Sequence, residues 1–352
     1  MNTHTDLGSV PAERPRPTPH PTHRLTLLLK REFWEHKGGF LWAPVWAGAI
    51  SLILTLMGMI LGEVALRRNI GDGVVKVDGQ VMINGLDLGQ ITSRMDAAAI
   101  RQLAGGIDLS LLMAALWPLI VLGFVVFFYA LGCLYDERKD RSVLFWKSLP
   151  VSDRETVAAK ALSALLVAPT LAVAAAIATL FGFLLLLSLF VLLHHGNPVA
   201  LLWGPGSPLK VAALLLAQIP LYAAWALPSV GWLMLCSVWA RSKPFLWATL
   251  LPVFSGIVVS WFGLMNLFQL DSGWYWKHIV ARGLLSAFPG SWNLHPAVRN
   301  GVDVNTPSDL LDVLHPAHSW ALFGTTELWI GALAGLAMLL LAIRLRRWRD
   351  DN

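Results

Sequence analysis

The chain has 352 residues, of which 56 % are hydrophobic and only 14 % charged. That balance excludes an ordinary soluble domain, and it equally excludes a chain that is disordered throughout. The net charge of +5 invites a nucleic-acid partner, but the placement of the charges, taken up below, points to a bilayer.

Residues 1–22 hold Pro11, Pro15, Pro17, Pro19 and Pro21 and no hydrophobic signal region, so they read as a disordered tail. From His23 to Lys37, Leu25, Leu28, Leu29 and Phe33 are interleaved with Lys30, Arg31, Glu32 and Lys37. This pattern predicts a helix lying in the cytoplasmic interface, its cations near lipid phosphates, with Gly38-Gly39 breaking it before the first span. Six apolar runs follow, at about 40–61, 109–134, 161–193, 211–239, 244–267 and 328–343, and none has an Asp, Glu, Lys or Arg in its interior. Runs of this length and purity predict membrane-spanning helices. The third is long: about 33 residues at 1.5 Å each make roughly 50 Å against a hydrocarbon core of about 30 Å, so it must tilt, protrude or kink at Pro169.

Between the first two runs, Val74–Val77 and Gln80–Ile83 flank Asp78-Gly79, which predicts a β-hairpin. The outer segment 268–326 carries Trp274, Tyr275, Trp276, Trp292 and Trp320, and is expected to form short helices partly within the outer interface. Gly58 with Gly62 and Gly331 with Gly335 both have G-x-x-x-G spacing, which permits close helix approach, as at the seam of a dimer.

Eighteen of the 27 basic residues fall in four places, Arg14 to Lys37, Arg138 to Lys160, Arg241 with Lys243, and Arg344 to Arg349. With alternating spans these lie on one side, and the positive-inside rule makes that side, with both termini, cytoplasmic. The expected location is the plasma membrane, as in a bacterial inner membrane. Cys133 and Cys236 sit near cytoplasmic span ends and are read as small buried residues, neither a disulfide nor a metal pair.

The chemistry available is sparse. No ionisable group lies at mid-span to couple an ion gradient, and no G-x-x-x-x-G-K-[ST] loop is present to hold a nucleotide. Histidines 194, 195, 295, 315 and 318 lack a Gly-x-Ser-x-Gly or His-Glu-x-x-His setting, so an intramembrane enzyme finds no motif, and no catalytic, cofactor or metal residue is assigned. Any nucleotide must then bind a different polypeptide that grips this one from the cytoplasm. The place for the grip is 135–156, where Val143, Leu144, Phe145, Trp146 and Leu149 stand among charges that a solvated loop would not combine with them. A helix is expected over Asp136 to Trp146, halted at Leu149-Pro150. Ser152 and Glu155 form an S-x-x-E capping box that starts the helix of the third span.

This segment resembles permease subunits of type-2 ABC exporters. The likeness rests on Glu137-Arg138, Ser142, Leu144, Leu149-Pro150-Val151-Ser152, Glu155 and Lys160, with Arg141-Ser142 where the family often has Gly-Thr. The resemblance implies an all-α membrane protein of six transmembrane helices spanning residues 23–352, with an N-terminal interfacial helix and a cytoplasmic coupling helix. It also implies a dimer of two permease subunits, alike or different, each paired with a P-loop ATPase that holds ATP and Mg. Asp136, Glu137, Arg138 and Arg141 would make polar contacts with that ATPase, and Phe145 and Trp146 would pack against it. The second and fifth spans would line the transport path. The implied function is an ATP-driven exporter. The alternative is an ABC-type subunit that uses the same stroke on an outer partner protein and moves no solute.

Overall fold

The structure, a computed structural model, describes residues 21–70, 75–77, 80–82, 97–140, 151–265, 271–299 and 314–349. Most of the expected tail and the Arg141 to Pro150 part of the coupling segment, with Phe145, Trp146 and Leu149, lie outside those residues.

The first helix, α1 (Pro21–Glu35), begins two residues inside the stretch read as tail. Proline is at ease there, because the first N–H of a helix has no intrahelical acceptor. Gly38-Gly39 does not open the helix as expected. It starts a π-helical turn, Gly38–Trp42, that leads into α2 (Ala43–Ile70). The hairpin is present as β1 (Val75–Val77) and β2 (Gln80–Met82), antiparallel, with Val77 opposite Gln80. Then come α3 (Ala97–Gly132), α4 (Tyr135–Lys139), α5 (Asp153–Leu162), a second π turn (Ser163–Val167) and α6 (Ala168–Leu193). A π turn at Val199–Trp203 precedes α7 (Pro208–Ala217), α8 (Ile219–Trp239) and α9 (Pro244–Leu264). The outer segment is broken into α10 (Ser272–Tyr275), a π turn (Trp276–Ala281), α11 (Arg282–Leu285), α12 (Pro296–Arg299) and α13 (Pro316–Ser319), with 3₁₀ turns between. The last helix is α14 (Thr326–Arg349).

Among the described residues, six stretches are long and apolar enough to cross a membrane: Gly38–Ala65, Gln102–Lys139, Asp153–Leu193, Pro208–Trp239, Pro244–Leu264 and Thr326–Trp348. Each contains or overlaps a predicted run. The surface agrees with lipid as solvent, since Trp46, Ile53, Phe254, Ile257, Ile330 and Leu333 are all exposed. The long helices are those of a multi-pass membrane protein.

The third span solves its proline problem locally. Pro169 has no N–H to offer Leu165, and in α geometry its ring would press on that carbonyl. The π turn just before it shifts the ladder, with Ala168 donating to the carbonyl of Ser163. The start of this span is fixed by the predicted capping box. Glu155 N donates to Ser152 Oγ at 3.2 Å, and Ser152 N donates to Glu155 Oε2 at 2.8 Å. Ser152→Ala removes one half of the box and should lower stability by about 1 kcal/mol, read as a small drop in the melting temperature of the purified protein.

The interior is built where α3, α5–α6, α8 and α14 meet. Val126, Ala130, Ala164, Ala168, Leu221, Val230, Leu233 and Leu328 form its centre. A second apolar cluster joins α3 to α6 and α7 through Leu111, Ala115, Ala176, Leu180 and Val211. Helices α8 and α14 approach each other closely, backbone against backbone. A Cβ on Gly231 would lie 2.5 Å from the Gly335 carbonyl oxygen, and one on Gly335 would lie 2.5 Å from the Leu227 carbonyl. This corrects the reading of the Gly331/Gly335 pair as a seam between copies, since both glycines are packed within the chain. Gly58 and Gly62 meet nothing within 4 Å.

Candidate functional site

Around the root of the 135–156 link, four elements bring charged side chains together, and a fifth adds a tyrosine hydroxyl. Glu32 on α1 is 2 % exposed and Lys160 on α5 is 1 % exposed. Lys160 Nζ donates to Glu32 Oε1 at 2.9 Å, and the Tyr129 hydroxyl of α3 donates to Glu32 Oε2 at 2.8 Å. The same ammonium stands 3.0 Å from Glu137 Oε1 on α4. Glu137 Oε2 pairs with Arg346 Nη2 of α14 at 3.1 Å, and Arg346 Nε reaches Asp153 Oδ1 at 3.2 Å. Arg31 lies 3.7 Å from Glu137 and 3.1 Å from Glu35 on its own helix.

The cluster therefore interleaves Arg31, Lys160 and Arg346 with Glu32, Glu137 and Asp153, with Glu35 and His36 at its edge. Charges this far from water persist only when paired and hydrogen-bonded. Burial alone pushes the Glu32 carboxyl up. The Lys160 ammonium, its hydrogen bond and that of Tyr129 outweigh burial, so Glu32 titrates below the usual carboxylate value and is ionised at neutral pH. Glu137 joins the link to α1, α5 and α14 at once.

Arg138 ties the link to a further helix. Its Nη2 donates to the carbonyls of Ser237 and Ala240 at 2.6 and 2.9 Å, at the end of α8. Ser237 Oγ in turn accepts from the backbone N–H groups of Leu134 and Tyr135, at 3.2 and 2.9 Å. The turn between α3 and α4 is thereby satisfied by a side chain from α8.

Of the residues singled out from sequence, Asp136 and Ser152 are exposed, and Glu155 is half-buried in its capping role. Glu137 and Arg138 face inward, Glu137 buried and Arg138 half-buried. The outward surface of the described link is carried by Asp136, Lys139, Asp140 and Arg154. The partners Glu32, Tyr129, Asp153 and Arg346 were missed in sequence. The available signal was Glu32 itself, an acid set between Leu28, Leu29 and Phe33 on one helix face, together with Lys160 among alanines.

The histidines are dispersed. His194 Nε2 meets Glu63 Oε2 at 2.8 Å, His295 Nε2 meets Glu327 Oε2 at 2.6 Å, and His315 accepts from Ala317 N in its own turn. Among the described residues, no group of three or more His, Cys, Asp or Glu side chains is placed to hold a metal ion. Cys133 and Cys236 are buried free thiols. No family model matches the chain, and no curated protein or solved structure matches it.

Proposed function

We propose that the chain is the membrane permease subunit of an ATP-driven ABC exporter, working with a second permease subunit and with separate P-loop ATPase subunits that hold ATP and Mg. In this reading it has no catalytic site of its own. Both termini and the 135–156 link face the cytoplasm of a plasma membrane, such as a bacterial inner membrane.

The observation that carries the reading is the buried ion cluster at the root of the link. A partner pressing on 135–156 gains a grip only if the link cannot slide against the bundle. Glu137 and Arg138 prevent sliding, because they fasten its first turn to α1, α5, α8 and α14. At the other end of the link, the capping box fastens it to a continuous helical stretch of 41 residues, Asp153–Leu193. Force applied between those anchors reaches the bilayer-spanning helices directly. Asp136, Lys139, Asp140 and Arg154 remain outward for the partner's polar groups.

The test is purification of the tagged full chain from its native membranes. A P-loop ATPase should co-purify in stoichiometric amount. Replacement of residues 141–150 by a Gly-Ser linker of equal length should remove it, while the chain itself still accumulates with an unchanged melting temperature. Equal recovery of the ATPase with the linker variant, or no ATPase with the unaltered chain, sinks the reading.

A further inference from the structure

Another charged side chain is buried toward the opposite end of the bundle, and it has no hydrogen-bond partner among the described residues. The α10–π turn–α11 stretch folds onto the helices instead of lying apart from them. Tyr275 donates to Ser255 at 2.9 Å and Trp276 to Ser260 at 2.8 Å, both on α9. Ser229 of α8 donates to the carbonyl of Arg282 at 3.0 Å. Arg282 is thereby drawn inside and is 7 % exposed. Its guanidinium lies 3.7 Å above the ring centre of Trp225, and a Cβ on Gly331 would come within 2.6 Å of Nη2. Glycine at 331 thus makes the space the guanidinium occupies.

None of the three guanidinium nitrogens meets a hydrogen-bond acceptor among the described residues. The carboxylate in the neighbourhood, Glu327, attracts the guanidinium at a distance but makes no hydrogen bond to it; one of its oxygens accepts from His295 at 2.6 Å, and His278 lies 3.6 Å from the other. A cation over an aromatic face gains on the order of 1–2 kcal/mol, and the desolvation of an ion costs several. Stacking on Trp225 therefore does not replace the missing acceptor.

The same guanidinium opens onto a cavity of about 560 Å³ between α8, α9 and α14. Apart from Arg282 and the Glu327–histidine group, its walls are largely apolar, with Trp232, Pro252, Ile330, Ala334 and Met338 among them. That volume is in the range of small-molecule sites, roughly 300–1,000 Å³. A fork of N–H donors matches the paired oxygens of a phosphate or carboxylate, and the walls match a hydrocarbon body.

We propose that this cavity is a binding site for an amphiphile with an acidic headgroup, its phosphate or carboxylate held by Arg282 and its apolar part lying along α9 and α14. The site does not depend on an ATPase partner, so its failure leaves the permease reading untouched, and the converse also holds.

The experiment is titration calorimetry on the purified full chain in a neutral maltoside detergent, with dodecyl phosphate, dodecanol and inorganic phosphate as probes. Dodecyl phosphate should bind, with the other two weaker by about tenfold or more, the scale of a charge-assisted hydrogen bond. Arg282→Met should weaken dodecyl phosphate by a similar factor. Ala334→Trp, which fills the cavity and keeps the arginine, should abolish binding even if the Met variant fails to fold. Equal binding of dodecanol, or unchanged binding by either folded variant, overturns the proposal. Lipid extracted from the purified protein separates the sources of the headgroup. Acidic phospholipid retained by the unaltered chain and lost from Arg282→Met assigns the site to a membrane lipid. Dodecyl phosphate binding without such a lipid assigns it to a diffusible acidic amphiphile.

Discussion

Lys160→Met should destabilise the protein by about 3–5 kcal/mol, the usual cost of removing one member of a buried ion pair. Lys160 is 1 % exposed and stands between Glu32 at 2.9 Å and Glu137 at 3.0 Å. Methionine fills much the same volume, so the loss is electrostatic rather than a cavity effect. It leaves two buried carboxylates, of which Glu137 still has Arg346 and Arg31, while Glu32 keeps the Tyr129 hydroxyl. The deficit therefore resides mainly on Glu32. The double variant Glu32→Gln, Lys160→Met should recover most of the lost stability, because Gln still accepts from Tyr129 and brings no charge. Heating detergent-solubilised protein and measuring the monodisperse fraction by size exclusion distinguishes the cases. A Lys160→Met protein as heat-stable as the unaltered chain, or a double variant worse than the single one, would show that the cluster does not behave as coupled charges.

Gly335→Val should be damaging for a different reason. Its Cβ position lies 2.5 Å from the Leu227 carbonyl carbon and oxygen and 2.7 Å from Pro228 N, all backbone atoms of α8. A side chain in the way could rotate aside, but a backbone cannot. Valine can enter only if α8 and α14 separate, which disturbs Val230, Leu233, Leu328 and Ala342 in the interior. The expected loss is about 3 kcal/mol, the upper part of the usual overpacking range. Gly58→Val, where no atom lies within 4 Å of the Cβ position, is the control and should leave the monomer's thermal stability unchanged. Equal melting temperatures for the Gly335 and Gly58 variants would refute the close approach.

The six long helices, the hairpin and the capping box were legible because each is a local property of the chain: run length, a two-residue turn, a three-residue spacing. The resemblance in 135–156 cast Glu137 as a contact for a partner, whereas the structure turns its carboxylate inward. That difference has a plain cause. Which side of a five-residue helix faces the bundle is decided by Glu32, Lys160 and Arg346, and those residues are brought in by other helices far away in sequence. Arg282 escaped notice for a related reason. Ile279 to Trp292 is uncharged apart from that one arginine, and its burial comes from the packing of α8 and α14 around it. A lone cation in an otherwise apolar, Trp-rich stretch was the clue available.

The π turn at Ser163–Val167 has a consequence for how this chain tolerates change. Such a turn holds one residue more than an α-helix would use, and each α-helical residue advances the rotation by about 100°. Below the turn, Lys160 looks toward α1 and α4, and above it Ala172, Ala176 and Leu180 look toward the apolar interior. Both orientations hold together only because the surplus residue is there. Deleting any single amino acid from this stretch would restore α geometry ahead of Pro169, press the proline ring on the carbonyl one turn before it, and swing one half of the helix around its axis. It would aim either the ammonium of Lys160 at hydrocarbon or the alanine ridge away from its neighbours.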